Sequence, residues 1–224
     1  MCSRTQAAEW IRAGRVSVDG RVVRDPEFPT VAGRHRIAVD GTDIDAPTQR
    51  LHLVLNKPRG LVTTARDERD RDTVYRCFDG AGLPWVAPVG RLDKASEGLL
   101  LFSNDPAWAA RITDPMTGPD KRYHVQVDRL PDAAMLATLH AGLEIEGEHF
   151  HAKSATVLRS GERTAWLDIV LDEGRNRQIR RMLAALDIEV LRLVRVAIGP
   201  LELGTLAKGA WRPLTDEEVA ALGG

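Results

Sequence analysis

Val89-Gly90-Arg91-Leu92-Asp93-Lys94-Ala95-Ser96-Glu97-Gly98-Leu99-Leu100-Leu101-Phe102-Ser103-Asn104-Asp105 is the stretch on which the reading of this chain turns. Its second half, 98–103, is an apolar run bounded by polar residues and reads as a strand. Its first half sets Arg91 and Asp93 two residues apart. In an extended segment, side chains two apart share a face. Arg91 and Asp93 therefore both look into a cleft while Leu92 points into the core. Out of context, Arg-Leu-Asp also reads as a surface turn with a local ion pair, so its surroundings have to decide.

Outward from that stretch, the pattern mixes strands and helices. Further strands are expected at 51–56, 122–128, 164–171 and 189–198, with clear alternation at 122–128 and 164–171. Helices are expected at 106–113, 131–141, 175–186 and 215–222, with Pro106 and Pro131 in first turns, where proline is tolerated. Residues 46–50 lack hydrophobic periodicity and contain Pro47, as linkers do. Before them, 5–13 reads as a helix with Ala7, Ala8 and Ile11 on one stripe, and Gly14 as its cap. Val16-Ser17-Val18 and Arg21-Val22-Val23 flank Asp19-Gly20 and read as a hairpin; 34–39 offers another strand. The expected division is a small basic unit at 1–45, a linker at 46–50 and a larger unit at 51–224.

Composition excludes several classes. With 224 residues, 43% hydrophobic and 28% charged, the chain is an ordinary globular protein rather than a disordered one. No apolar run approaches the ~20 residues a membrane span needs, and the start has no signal-peptide segment. Two cysteines, Cys2 and Cys77, make neither a disulfide framework nor a zinc site, which points to a reducing cytoplasm. Net charge is −1, yet the arginines cluster at Arg4, Arg12, Arg15, Arg21 and Arg24, and again at Arg175, Arg177, Arg180 and Arg181. Such patches hold phosphates even when the total charge is near zero. The plainer reading of any one arginine is a solvated helix face.

The run from Ser3-Arg4-Thr5-Gln6-Ala7-Ala8 to Val18-Asp19-Gly20 resembles an S4 RNA-binding domain. A helix with arginines on its open face, beside a basic hairpin, presents guanidinium forks to a phosphate backbone. Shape and phosphate contacts suit structured RNA. S4 domains usually begin with one more helix, so either the start codon is assigned too late or the unit is truncated. Arg4, Arg12 and Arg15 are its candidate RNA contacts.

The larger unit resembles the RsuA/RluB/RluE/RluF family of ribosomal RNA pseudouridine synthases. The Val89–Asp105 stretch matches the family's catalytic motif. Asn56-Lys57-Pro58-Arg59-Gly60 matches its first motif, and Lys121-Arg122-Tyr123-His124-Val125 its tyrosine-bearing strand. Glu173-Gly174-Arg175-Asn176-Arg177-Gln178-Ile179-Arg180-Arg181-Met182 matches its basic motif, and all stand in the family's order. The resemblance implies an α+β fold with a long, largely antiparallel central sheet and a cleft across its middle.

It also implies a chemistry. Uridine becomes pseudouridine by isomerisation, without electron exchange or net hydrolysis, so no cofactor and no metal is expected. A carboxylate nucleophile is needed, and the family implies Asp93. Whether it first attacks the sugar or the base stays open. Arg180 is implied as the cation that keeps Asp93 ionised. Tyr123 is implied to stack on the uracil, which must leave its own stack to enter the pocket. Arg91 is implied to fill the space the base vacates. Arg177 belongs with the RNA contacts, and Lys57 either supports the cleft or touches RNA. The implied partner is ribosomal RNA, free or in an assembling subunit. A cytoplasmic monomer with no membrane association is expected.

Other readings compete. His149-Phe150-His151 sets two imidazoles on one side of a strand, yet no zinc-like spacing completes a site. Asp93 and Glu97 suggest a glycosidase carboxylate pair. An S4-tethered module that binds RNA without catalysis is the other rival.

Overall fold

The computed structural model describes the chain apart from residues 1, 3, 32–33, 45–48, 66–68, 70 and 224 and the side chain of Arg4. Residues 46–48 of the expected linker and the Arg4 side chain thus lie outside the described part.

Helix α1 (Arg4–Arg12) ends where Gly14 takes φ 73°, with Gly14 N donating to Ile11 O at 2.9 Å and Arg15 N to Trp10 O at 3.0 Å. Those two bonds satisfy carbonyls the helix end leaves open. Strands β1 (Val16–Val18), β2 (Arg21–Val23), β3 (Ile37–Val39) and β4 (Thr42–Asp43) form a sheet in the order β2-β1-β3-β4. Asp19-Gly20 turns the first hairpin with both φ positive, as a two-residue hairpin loop requires. Asp40-Gly41 repeats the device between β3 and β4.

Nine of the remaining strands build a second sheet. They are β5 (His52–Lys57), β6 (Ala87–Val89), β7 (Glu97–Ser103) and β8 (Lys121–Val127), with a 3₁₀ turn at Val74–Phe78 and helix α2 (Pro106–Thr113) between them. After helix α3 (Ala133–Ala141), a separate hairpin of β9 (Leu143–Ile145) and β10 (Glu148–Phe150) precedes β11 (Ser154–Ser160) and β12 (Ala165–Leu171). Helix α4 (Gln178–Ala184), β13 (Val190–Ile198), β14 (Leu201–Glu202), β15 (Trp211–Pro213) and α5 (Asp216–Ala221) complete the order. The sheet runs β11-β12-β8-β13-β7-β5-β15, with β6 on β7 and β14 on β13. Only β13 with β7 is parallel among these pairings. The expected α+β fold with a long, largely antiparallel sheet is what the chain adopts.

Burial explains the two kinds of strand pattern. Leu100 and Phe102 of β7 enter one core with Leu53 and Leu55 of β5; Leu99 and Leu101 enter a second core on the other face with Val54. Both faces of β7 are dry, so its sequence is apolar without alternation. In β8 and β12 the residues Val125, Val127, Leu167 and Ile169 face the first core, while Arg122 and Asp168 pair on the opposite face at 2.9 Å. One covered face gives the alternation at those strands. Ile179, Met182 and Leu183 of α4 seal the first core, and Trp108 and Ile112 of α2 the second. Where β13 runs parallel to β7, Gly98 has φ 99°, and a Cβ there would collide with the Arg195 carbonyl oxygen. Only glycine permits that approach.

Two helix starts differ from expectation. Pro131 lies ahead of α3 rather than in its first turn, because Asp132 is the cap and accepts from Met135 N at 2.7 Å. Helix α4 begins at Gln178, not at 175, because Arg177 has φ 52° and cannot belong to the helix.

Candidate active site

A cavity of about 620 Å³ opens between the loop after β6, the loop after α2, and the segment leading into α4. Arg91, Asp93, Tyr123, Arg177 and Arg180 all line it. Lining cations outnumber lining carboxylates, which here are Asp93 and Glu173. Such a surface attracts a polyanion.

Asp93 sits in a loop whose backbone is bolted down. Lys57 is fully buried, and its Nζ donates to the carbonyls of Ser96 at 2.8 Å, Pro58 at 3.1 Å and Asp93 at 3.2 Å. Thr63 Oγ1 donates to Leu92 O at 2.7 Å, and Leu92 itself is buried. Ser96 N closes the turn on Asp93 O at 3.0 Å. With Leu92 held in the core, the carboxylate of Asp93 is turned to the cavity and stays 31% exposed. The face-sharing of Arg91 and Asp93 expected from sequence is present, with Arg91 exposed at the mouth.

Two arginines stand by Asp93, and they do so differently. Arg177 Nη1 lies 3.4 Å from Asp93 Oδ2, whereas Arg180 has no ion-pair contact with it. Arg180 is half-buried; its Nη2 donates to Ala95 O at 3.4 Å and its Nη1 to Val190 O at 3.3 Å. The backbone explains the exchange: the left-handed turn at Arg177 swings its side chain towards Asp93, while Arg180, inside α4, is taken up by carbonyls. Burial, and then the neighbouring Arg177, push the Arg180 guanidinium below its ordinary range; Asp93 pulls the other way. Arg180 therefore acts on Asp93 through space and through the Ala95 carbonyl of its loop.

Lys57 resolves towards support. Its ammonium is enclosed and satisfied by three carbonyls, which favours the supporting role over contact with RNA. Burial lowers its pKa from 10.5 to about 8, against the pull of Glu97 and Asp93. Between those values the unfolded chain binds more protons than the folded one. The stability contributed by Lys57 is thus present above pH 10.5 and lost as pH falls through about 8. Compared with Lys57→Met, wild-type stability should rise by roughly 2 kcal/mol between pH 7.5 and pH 10. Paired urea denaturation curves at pH 7.5 and 10 check this, and a constant difference would contradict it.

Tyr123 lies on β8 opposite Arg195 of β13, is 8% exposed and faces the cavity. In the N-terminal unit Arg12 is exposed, while Arg15 is bound by Asp40 at 3.0 Å and lies over the Trp10 ring at 5.0 Å. Glu97 is not a partner for Asp93. It is buried away from the cavity and held by Arg192 at 3.0 Å and by Lys208. Burial pushes its carboxyl up, but those bonds outweigh it and leave the pKa below the ordinary value. The glycosidase pairing therefore fails on geometry. His149 bonds to Glu144 at 3.0 Å and His151 faces Asp172 at 3.5 Å, so each imidazole has its own acid. Among the described residues no group of three His, Cys, Asp or Glu is arranged to hold a metal.

Sequence reading missed Arg195, Lys121 and Met116 as cavity residues. Arg195 had a signal: a cation at an inward position of a strand. Met116 is 88% exposed on a turn fixed by Asp114 Oδ1, which accepts from Met116 N at 2.7 Å and Thr117 N at 2.9 Å. Nothing in the spacing announces it.

Comparison with known proteins agrees with this geometry. Residues 51–185 match the RNA pseudouridylate synthase family, and residues 1–33 match the S4 domain. Ribosomal large subunit pseudouridine synthase B of Bacillus subtilis is 35% identical over 99% of this chain and 91% of the relative. Ribosomal small subunit pseudouridine synthase A of Salmonella typhimurium is 33% identical over 99% of this chain and 94% of that one. A crystal structure of a pseudouridylate synthase superposes with TM-score 0.69 at 30% identity, covering 98% of this chain and 94% of the other. These matches leave the pure binding module without support, and the chain belongs to the RNA pseudouridylate synthase family, as an isomerase that acts on RNA.

Proposed function

We propose that the protein isomerises a specific uridine of ribosomal RNA, with Asp93 as the nucleophile. The observation that carries this is the Asp93 loop. A carboxylate is fixed by buried Lys57 and Thr63 at the wall of a cationic cavity, beside Arg177 and Arg180. Relatives of either ribosomal subunit match nearly the whole chain, which supports ribosomal RNA as the substrate.

The net reaction breaks the bond from uracil N1 to ribose C1′ and forms one from C5 to C1′. The C5 proton leaves and N1 gains one, so no oxidant or other co-reactant is needed. Asp93 supplies the transient covalent partner, at the sugar or at the base. The target nucleotide swings out of its stack into the cavity. Tyr123 supports the uracil face, and Arg91 at the mouth occupies the gap left in the RNA. Arg177, half-exposed, also faces the backbone phosphates. The division into an RNA-holding unit at 1–45, a linker at 46–50 and a catalytic unit at 51–224 suits this work. The protein acts as a monomer in the cytoplasm; no helix among the described residues is long and apolar enough to cross a membrane.

The test is purified protein with ribosomal RNA carrying tritium at uridine C5. Release of one tritium per RNA, with pseudouridine at one position, is expected. No release from any ribosomal RNA, free or in assembling subunits, would overturn the proposal.

Arg12 and Arg15 separate binding from chemistry. Charge reversal at Arg12, which is exposed and has no carboxylate among its described contacts, should weaken RNA affinity and lower the salt slope by about one. Reversal at Arg15 should do less, because Asp40 already offsets its charge. Single-turnover rates at saturating enzyme should stay near wild type in both. Filter binding across a salt series reads the result, and unchanged affinity in Arg12→Glu would show the N-terminal unit idle.

A further inference from the structure

We infer that Lys121 and Arg195 form a donor-only subsite for the O4 carbonyl of the extruded uracil, which admits uracil and refuses cytosine. The inference rests on the reading above that a uridine enters this cavity.

Three residues of adjacent strands define the place. Arg195 of β13 is the register partner of Tyr123 on β8, and Lys121 lies two residues before Tyr123, on the same face. All three line the cavity. Arg195 is only 6% exposed; its Nε donates to Leu99 O at 2.8 Å, and its Nη2 has no hydrogen-bond partner among the described residues. Lys121 is half-buried, and both burial and the Arg195 charge press its ammonium below the ordinary range. Among the described residues neither cation has a carboxylate in ion-pair contact. Asp120 and Asp172 act on Lys121 from farther away, but Asp120 is held by Lys153 at 2.7 Å and Asp172 faces His151 at 3.5 Å.

Two like charges kept close, partly dry and without an acid in ion-pair contact are unfavourable by themselves. A buried donor left unpaired adds to that. An incoming acceptor oxygen relieves both, and neither side chain can accept a hydrogen bond in return. The fitting ligand is therefore an acceptor edge: a phosphate or a carbonyl. Position favours the carbonyl. The exposed cations Arg91 and Arg177 stand at the mouth, where a backbone phosphate passes, whereas Arg195 and Lys121 stand beside Tyr123 on the strands of the cavity wall. Of the two uracil carbonyls only O4 distinguishes the base from cytosine, and the subsite is assigned to it. Cytosine presents an amino group in the same place, setting donor against donor, and a site built around a hydrogen bond rejects such an analogue strongly.

The experiment titrates 5′-UMP, 5′-CMP and ribose 5-phosphate into wild type, Lys121→Met and Arg195→Lys, followed by ligand-observed NMR. It needs neither turnover nor a known target, so its failure is distinct from failure of the tritium-release assay. Wild type should favour UMP over CMP. Lys121→Met should lose about tenfold in UMP affinity, the size of one hydrogen bond to a charged group, and should lose the preference over CMP. Ribose 5-phosphate should bind both alike. Arg195→Lys, which keeps the charge where removal would leave Leu99 O uncapped, should retain part of the preference. Equal loss of UMP and ribose 5-phosphate would identify a phosphate site and overturn the inference. So would an unchanged UMP to CMP ratio in Lys121→Met, or no UMP binding by wild type.

Discussion

Asp93→Asn is expected to give a folded protein that binds RNA and forms no pseudouridine. The side chain is 31% exposed and touches Arg177 only at 3.4 Å, so the near-isosteric amide disturbs little of the fold. The loop is held through backbone carbonyls by Lys57 and through Leu92 by Thr63, and none of those bonds uses the carboxylate. The amide lacks the anionic oxygen that the proposed attack requires. Loss of a nucleophile in a comparable constellation removes on the order of 10⁴-fold or more in rate. Among the described residues, the acids nearest in sequence or lining the cavity are already engaged. Glu97 is buried with Arg192 and Lys208. Asp105 caps α2, accepting from Ala107 N at 3.0 Å. Glu173 lines the cavity but is engaged by Gln178 at 2.8 Å and Arg175 at 2.9 Å. Single-turnover isomerisation, with thermal melting and RNA affinity as controls, checks the prediction. Retention of more than about 1% of the wild-type rate would contradict the nucleophile assignment.

Arg180→Met should come second in size. Its guanidinium braces the Asp93 loop at Ala95 O, ties it to Val190 O and adds positive potential at the carboxylate. Removal of one preorganised electrostatic group typically lowers kcat by about 10²–10³-fold. Affinity for RNA should change little, because the residue is half-buried and not on the outer rim. Arg177→Met should behave oppositely. Arg177 is 52% exposed and its contact with Asp93 is long, so screening weakens its hold on the carboxylate. A loss of about tenfold or less in kcat, with a clear loss in affinity, is expected there. Arg180→Lys keeps the charge and should recover part of the rate. If Arg177→Met proves the more damaging to kcat, the direct ion pair and not Arg180 is the working partner of Asp93.

The sequence made much of this legible, for definable reasons. Strands β5, β7, β8, β12 and β13 were readable because each is either dry on both faces or on one, and burial writes directly into hydrophobic pattern. The hairpin β9–β10 and strand β11 were missed. Strand β11 is mostly exposed at the sheet edge, so neither periodicity nor a continuous apolar run marks it. The Glu146-Gly147 turn that joins β9 to β10 takes positive φ at both positions, yet Glu-Gly is a weaker hairpin signal than the Asp-Gly pairs elsewhere in the chain. At the site, Asp93, Arg91 and Tyr123 were placed together because motif order carries them into one cavity. Which arginine touches Asp93 was not legible, since it depends on the left-handed backbone at Arg177, a conformation that a non-glycine residue does not announce. The burial of Lys57 was equally silent, because lysine in a strand reads as surface until its three carbonyl partners are known.

The role of Asp93 is open to measurement in cells lacking this gene, complemented with wild type or with Asp93→Asn at equal protein level. Pseudouridine is then mapped at single-nucleotide resolution across the ribosomal RNAs. One uridine should lose its modification in the deletion, regain it with wild type, and stay unmodified with Asp93→Asn. An unaltered pseudouridine map in the deletion, or full restoration by Asp93→Asn, would contradict this expectation.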